Sequence, residues 1–307
     1  MKAMAWRGAA ILLAVLLAMS AGALAEGGES AYTLNEWNYV DQSMDVSGGI
    51  PGDAEGLLWI IGQTGVLRVA TEPYFPPQEF IDPDREGQER FVGSDMELAK
   101  RIAQRMGVAL QIVPMDFSEV LPAVQEGKCD LAITALSFTP GRAAQVTMSK
   151  GYFYAEAGAG SAMLIRAEDA GEIAGIEDLK GRNIAAQAGS IQEALTAEHV
   201  QRYHEFRRLP QVQDLYDQLE AGDVDAAMVD AETARLYIES NPDCGLMLVP
   251  GVRFALEGQF AGDRIAARKG ELQLIAFVNG VIDEVLESGE YVQWYAEAAE
   301  LAAELGL

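Results

Sequence analysis

The sequence predicts an α/β protein built from two alternating blocks. Short apolar runs and amphipathic stretches alternate from Val66 to Ile133. After a break rich in glycine and aromatics at Gly151–Ser161, the alternation resumes from Ala162 to Ala267. Two amphipathic segments, 271–287 and 289–304, close the chain. Strand–helix–strand alternation implies parallel strands joined by right-handed crossovers. At 307 residues, half of them hydrophobic, the chain can build one large core or two modest ones.

Ahead of the first block, Lys2 and Arg7 flank the apolar run Ala9–Met19, and Ala23-Leu24-Ala25 gives an A-x-A cleavage site. That is the pattern of a secretory signal peptide over 1–25, too short in its apolar part to span a membrane. No cysteine follows the site, which closes the bacterial lipoprotein route, so the mature chain is expected to be exported and soluble. The formal net charge is −25. Removal of 1–25 takes away two basic residues and no acid, leaving 20 basic residues against 47 acidic, or −27. Such a charge disfavours nucleic acid and anionic membrane as partners. Cys129 and Cys244 lie far apart in sequence and are expected as unpaired thiols. Residues 26–52 are polar, with Tyr32, Trp37 and Tyr39 interspersed, and read as a linker or as an arm packed on the body.

In the first block, 54–63 reads as a short helix and Val66–Ala70 as a strand. The loop Thr71–Phe80 follows, stiffened by three prolines and carrying three aromatics, which either wall a pocket or pack locally. A helix runs from after Gly93 to Met106, with Leu98, Ile102 and Met106 on one face and Gly107 as its stop. Val108–Val113 alternates as a strand, and Ser118 is the expected cap of the next helix, which ends at Gly127.

The most informative stretch is Asp130–Arg142. Leu131–Ile133 suits a buried strand, and the chain then turns polar through Thr134, Ser137 and Thr139. Thr139-Pro140 pairs an N-cap with proline at the first helical position, so Arg142 sits in the first turn of a helix just beyond a strand end. Ligands of open α/β sheets bind there, and the hydroxyls, helix N-terminus and guanidinium suit a small carboxylate. The same residues also fit a plain strand–loop–helix with a surface arginine.

In the second block, strands are expected at Ala162–Ile165, Ile184–Ala186, near Phe206, and at Val224–Val229, Leu246–Val249 and Ile265–Ala267. Gly189-Ser190 opens a helix to about Tyr203, and Val212–Leu219 is a helix ended by Gly222. Gly189-Ser190 is either a second anion subsite or an ordinary serine cap. Asp230, at a strand end, is either an N-cap or a counter-ion for an ammonium group.

Enzyme signatures are mostly missing. His199 and His204 are five residues apart and share no helix face. There is no H-E-x-x-H, G-x-S-x-G or C-x-x-C, and Gly127-Lys128 lacks the rest of a P-loop. Nothing calls for a metal or cofactor.

Taken together, Gly65–Glu72, Pro76-Pro77, Val92–Ala99, Asp130–Arg142, Leu179–Ile184, Gly189-Ser190 and Gly222–Asp230 resemble the family 3 extracellular solute-binding proteins, the polar amino-acid receptors of ABC importers. The likeness covers roughly 57–307. It implies a two-lobed, type II periplasmic-binding-protein fold with two hinge strands: 53–157 plus 258–307 as lobe 1 and 158–257 as lobe 2. It also implies a periplasmic or otherwise extracytoplasmic monomer that carries an amino acid to a membrane permease and is not an enzyme.

By position, the resemblance implies that Arg142 pairs with the ligand's α-carboxylate, aided by Ser137 and by backbone N–H groups at Ser190 and Ile191. Asp230 would hold the α-ammonium, aided by the Thr134–Ala135 region, and Phe75 and Phe117 would sandwich the apolar part. Glu72 and Asp95 would sit near the side-chain end, with Gln187 and Gln192 across the cleft. Ala135 stands where the family commonly has serine, Ile191 where it has threonine, Phe75 where it has tyrosine and Glu72 where it has aspartate. The acids at Glu72 and Asp95 tilt the expected ligand toward a polar or cationic side chain. A cyclohexadienyl-dehydratase-like enzyme on the same fold, or a ligand-sensing accessory protein, are the alternatives.

Overall fold

Two five-stranded sheets organise the protein, and the chain passes from one to the other and back. The structure is a computed structural model that describes residues 31–154, 160–254 and 261–307. The expected leader at 1–25, the start of the arm, the lobe boundaries at 157/158 and 257/258, and any hinge strands there lie outside the described residues.

The first sheet begins after helix α1 (Gly56–Thr64) with β1 (Val66–Thr71), which buries Leu67, Val69 and Ala70 completely. A two-stranded ribbon follows, β2 (Phe80–Ile81) paired antiparallel with β3 (Phe91–Val92). Gly93 links β3 to α2 (Ser94–Met106) at φ +120°, where a Cβ would lie 2.2 Å from the Gln78 carbonyl oxygen, so only glycine fits. The predicted face of α2, Leu98, Ile102 and Met106, is buried. Next come β4 (Ala109–Pro114), α3 (Phe117–Gln125), β5 (Leu131–Ala132), α4 (Pro140–Gln145) and β6 (Val146–Phe153). Asp116, not Ser118, occupies the N-cap position of α3, so Ser118 lies within the first turn. β1 runs parallel to β4 and β5, as the alternation requires.

The second sheet contains β7 (Ser161–Arg166), β8 (Asn183–Gln187), β9 (Glu205–Leu209), β10 (Ala226–Asp230) and β11 (Leu246–Phe254), in the order β11-β7-β10-β8-β9. Between them lie α5 (Ile191–His199), α6 (Val212–Glu220) and α7 (Ala231–Ser240). β8 is parallel to β9 and β10, whereas β7 is antiparallel to β10 and β11.

β12 (Asp263–Arg268) returns to the first sheet, antiparallel to β5 and β6, giving the order β4-β1-β5-β12-β6. The closing helices are α8 (Leu272–Ser288) and α9 (Glu290–Leu305). α8 is buried on nearly every side from Leu274 to Ile282 and forms part of the first lobe's core. The end of α9 reaches the second lobe: Leu305 and Leu307 pack in one apolar cluster with Leu236 of α7, and Asn241 Nδ2 donates to the Gly306 carbonyl at 3.1 Å.

Residues 32–50 pack on the first lobe. The Val40 N–H donates to Met148 O, the Met44 N–H to Ala276 O, and Asn279 Nδ2 to the carbonyls of Val40 and Gln42, all at 2.9–3.0 Å. Gly280 lets the arm approach α8: a Cβ there would meet the Met44 carbonyl oxygen at 2.1 Å. Tyr39 lies edge-on to Phe138, and both rings face the buried Arg264 guanidinium, whose carbon is 4.0 and 5.0 Å from their centroids. Cys129 and Cys244 are both free. Among the described residues no helix is long and apolar enough to cross a membrane.

Candidate functional site

A cavity of about 300 Å³ lies between the two sheets' carboxyl-end loops. Every sequence-predicted site residue lines it except Asp95: Glu72, Phe75, Phe117, Thr134, Ala135, Ser137 and Arg142 from the first lobe, and Gln187, Ser190, Ile191, Gln192 and Asp230 from the second.

Arg142 is placed as its local sequence dictates. The Thr139 hydroxyl accepts from the Arg142 N–H at 3.1 Å, and Pro140 opens α4. The guanidinium donates from Nη1 to the Ser137 carbonyl at 2.7 Å and from Nη2 across the cleft to the Gly189 carbonyl at 3.0 Å. It also stands 5.5 Å from the Phe117 ring centroid. Burial lowers its pKa to about 10, with Asp263 opposing, so it remains a cation at neutral pH. Since two of its donors meet neutral carbonyls, it keeps an unneutralised charge beside the cavity, which favours a carboxylate.

In the second lobe, Ser190 caps α5, accepting from the Glu193 N–H at 3.0 Å and donating its hydroxyl to Gln187 O at 2.7 Å. The cap reading and the cavity reading both hold for Asp230. Its Oδ1 accepts from the N–H groups of Glu232 and Thr233 at 2.9 and 3.0 Å and so caps α7. The cap uses only Oδ1, and Asp230 still lines the cavity. Burial raises its pKa, against the pull of those two N–H groups.

Asp95 departs from the expectation. It is fully buried in the first turn of α2, behind the cavity wall. Its Oδ2 accepts from the Ala135 N–H at 3.0 Å and the Tyr152 hydroxyl at 2.6 Å, and its Oδ1 accepts from the Tyr291 hydroxyl at 2.7 Å. Glu79, which does line the cavity, lies beside it. The role of Asp95 is to hold Ala135, which lies at φ +44°, a left-handed conformation costly for a residue bearing a Cβ.

Sequence reasoning missed Gln78, Glu79 and Asp263, all lining the cavity. A tight turn from Phe75 to Glu79 brings the first two inward, with the Phe75 N–H donating to Glu79 O at 2.8 Å. The Thr134 hydroxyl donates to Glu79 Oε1 at 2.9 Å and accepts from the Glu72 N–H at 3.1 Å. Burial pushes Glu79 well above the carboxylate range, and Asp95 and Glu72 beside it add to the effect. Gln78 Nε2 donates to Asp263 Oδ2 at 2.7 Å. Burial pushes Asp263 up to about 7, with Asp95 adding to it and Gln78 opposing. A second acid at the end of the Thr71–Phe80 loop was the available signal for Glu79; Asp263 had none.

Glu72 is the most exceptional group. It is fully buried, and neither carboxylate oxygen accepts a hydrogen bond from the protein. Burial pushes it up to about 8; the Gln187 amide across the cleft opposes this only in part, since its Nε2 donates to the Pro210 carbonyl at 3.2 Å and not to Glu72. The cavity therefore offers one guanidinium near one end, an aromatic pair, and several carboxyl groups lacking cations. No group of His, Cys, Asp and Glu among the described residues has the arrangement of a metal site.

Known proteins are similar to this chain in sequence and fold. The arginine-binding extracellular protein ArtP of Bacillus subtilis is 30% identical over 225 residues, 73% of this chain and 82% of its own. The crystal structure of the amino acid ABC transporter substrate-binding protein AbpA of Streptococcus pneumoniae, bound to L-arginine, superposes with a TM-score of 0.70 at 32% identity, covering 79% of this chain and 98% of that one. The ancestral amino-acid-binding protein AncCDT-1, a precursor of cyclohexadienyl dehydratase, gives a TM-score of 0.68 at 27% identity, covering 79% and 99%. Residues 67–298, the span that builds both sheets and the cleft between them, match the model of one family, and the chain belongs to it: the bacterial extracellular solute-binding proteins, family 3.

Proposed function

We propose that the protein captures an amino acid with a cationic side chain, of the arginine class, outside the cytoplasm and passes it to the permease of an ABC importer. The observation that carries the reading is the unpartnered, fully buried Glu72 carboxylate at a cavity that also presents Arg142 and Asp230 from opposite lobes. Arg142 binds the α-carboxylate and Asp230, through the oxygen its cap does not use, binds the α-ammonium. Phe75 and Phe117 flank the aliphatic stem, and Glu72 receives the side-chain cation. A zwitterion held this way bridges the lobes, so binding favours the closed arrangement. ArtP and AbpA, named for arginine binding and bound to it respectively, support the ligand class. The apolar run and A-x-A site near the N-terminus support export by a signal peptide.

Calorimetric titration with the standard amino acids, ornithine and citrulline tests this. One saturable site is expected, tightest for arginine or another dibasic amino acid. Binding confined to acidic or aliphatic amino acids would contradict it.

A second reading is a dehydratase on the same fold, favoured by the likeness to AncCDT-1 and by Glu72, an acid pushed up to about 8 and hence competent as a proton donor at neutral pH. Asp230 at the ammonium position favours binding over elimination. Turnover of prephenate or arogenate by the purified protein would favour the enzyme.

A further inference from the structure

Glu72 stands just past the end of β1 in the first lobe, and groups of the second lobe face it. Gln187 faces it from the end of β8, and Asp214 from α6. Within its own lobe it is faced by Asp116, ahead of α3, and by Glu79, which is coupled in turn to Asp95. Thr134 is bonded to its backbone N–H and not to its carboxylate. Among the described residues no lysine or arginine forms an ion pair with Glu72.

In this arrangement the carboxylate is stripped of water and has no cation from the protein to compensate it. A buried carboxylate must gain a cation or a proton. A guanidinium or ammonium side chain supplies the cation. A ligand of the same length without charge does not.

Building on the cationic-ligand reading of the cleft, we propose that the site also accepts a second ligand class, amino acids with a neutral amide- or urea-type side chain, and that these bind together with one proton at Glu72. The proton comes from solvent and adds to a carboxylate oxygen, leaving a neutral O–H that donates to the ligand's side-chain carbonyl. No other bond changes. The upward shift of Glu72 to about 8 in the closed arrangement agrees in direction.

The sign follows directly. An acid whose pKa rises on closure takes up a proton, so neutral ligands bind more tightly as pH falls below about 8. One linked proton gives a slope of about tenfold in affinity per pH unit. Cationic ligands bind with Glu72 ionised throughout and lack this dependence. Asp263 and the Glu79–Asp95 pair face either ligand from the first lobe, so their titration moves both curves together.

L-Arginine and L-citrulline, which differ in charge at nearly constant shape, are the probes. Their dissociation constants are measured by calorimetry between pH 5.5 and 8.5 with the wild-type protein and with Glu72→Gln. The expected result is a ratio of citrulline to arginine affinity that rises about tenfold per unit as pH falls from 7.5, whatever common slope the two curves share. Glu72→Gln should flatten the citrulline curve and weaken arginine. Equal slopes for the two ligands, absence of citrulline binding at pH 5.5, or an unchanged citrulline slope in Glu72→Gln overturns the proposal. The wild-type comparison decides even where the variant folds poorly. Arginine binding with a flat citrulline curve overturns this inference alone, whereas failure of both ligands at every pH overturns the cationic-ligand reading as well.

Discussion

Arg142 of the first lobe donates through Nη2 to the carbonyl oxygen of Gly189 in the second, at 3.0 Å. Gly189 immediately precedes Ser190, the cap of α5. The cation of one lobe is thus held at a helix N-terminus of the other, and the two fields add in favour of a carboxylate between them. This contact is also a direct tie between the lobes.

Arg142→Ala removes the carboxylate partner and that tie together. Loss of a charge-assisted bond of this kind, about 1.5–3 kcal/mol, should weaken amino-acid binding roughly 10- to 150-fold. The fold should persist, because Thr139 and Pro140 still start α4. Calorimetry beside a thermal melt checks both halves, and unchanged affinity would refute the assignment.

Asp230→Asn separates the two roles of this residue. Asparagine keeps an oxygen for the N–H groups of Glu232 and Thr233 and is itself a good N-cap, so the melting temperature should hold. The charge facing the α-ammonium is lost, and affinity should fall at least about tenfold. Asp230→Ala should lose affinity and, in addition, about 1 kcal/mol of stability through the missing cap.

Asp263 makes stability depend on pH. Its folded pKa, about 7, lies above the ordinary 3.8, so the folded state binds more protons between those values. Its contribution is therefore most favourable below the ordinary value and is lost as pH rises through about 7. Asp263→Asn should raise the melting temperature at pH 8, by an amount equivalent to roughly 2–4 kcal/mol, with little change at pH 4. Melts of the two proteins at both pH values test this. A variant less stable than wild type at pH 8 would contradict it.

The arm at 32–50 belongs to the first lobe's fold. Gly280→Ala would drive a methyl group into the Met44 carbonyl and Val46, and should destabilise by about 1–3 kcal/mol while exposing the arm to proteolysis. Limited proteolysis with N-terminal sequencing of the fragments would detect it. An arm as resistant as that of wild type would show that the packing is dispensable.

The sequence was most legible where local chemistry fixes geometry. Thr139-Pro140 placed Arg142 in a helix's first turn, and the strand before Asp230 placed that carboxylate at a strand's carboxyl end. α2 and α8 were readable from their apolar spacing, since each meets the core along a face or all around. β6 escaped because it is buried on both faces and contains Gly151, so it showed no strict alternation and merged with the break after it. Asp95 lies behind the cavity wall for a tertiary reason. Its neighbours in sequence mark a helix start, but its direction is set by Tyr152 and Tyr291, far along the chain. Asp263 was invisible because its place beside Gln78 exists only once the chain has returned to the first sheet.

A crystal structure of the protein grown with L-arginine tests the central claim most directly. The account predicts the ligand's carboxylate on Arg142, its ammonium on Asp230, its stem between Phe75 and Phe117, and its guanidinium against Glu72. A ligand seated elsewhere, or in this cleft with its carboxylate away from Arg142, would contradict it.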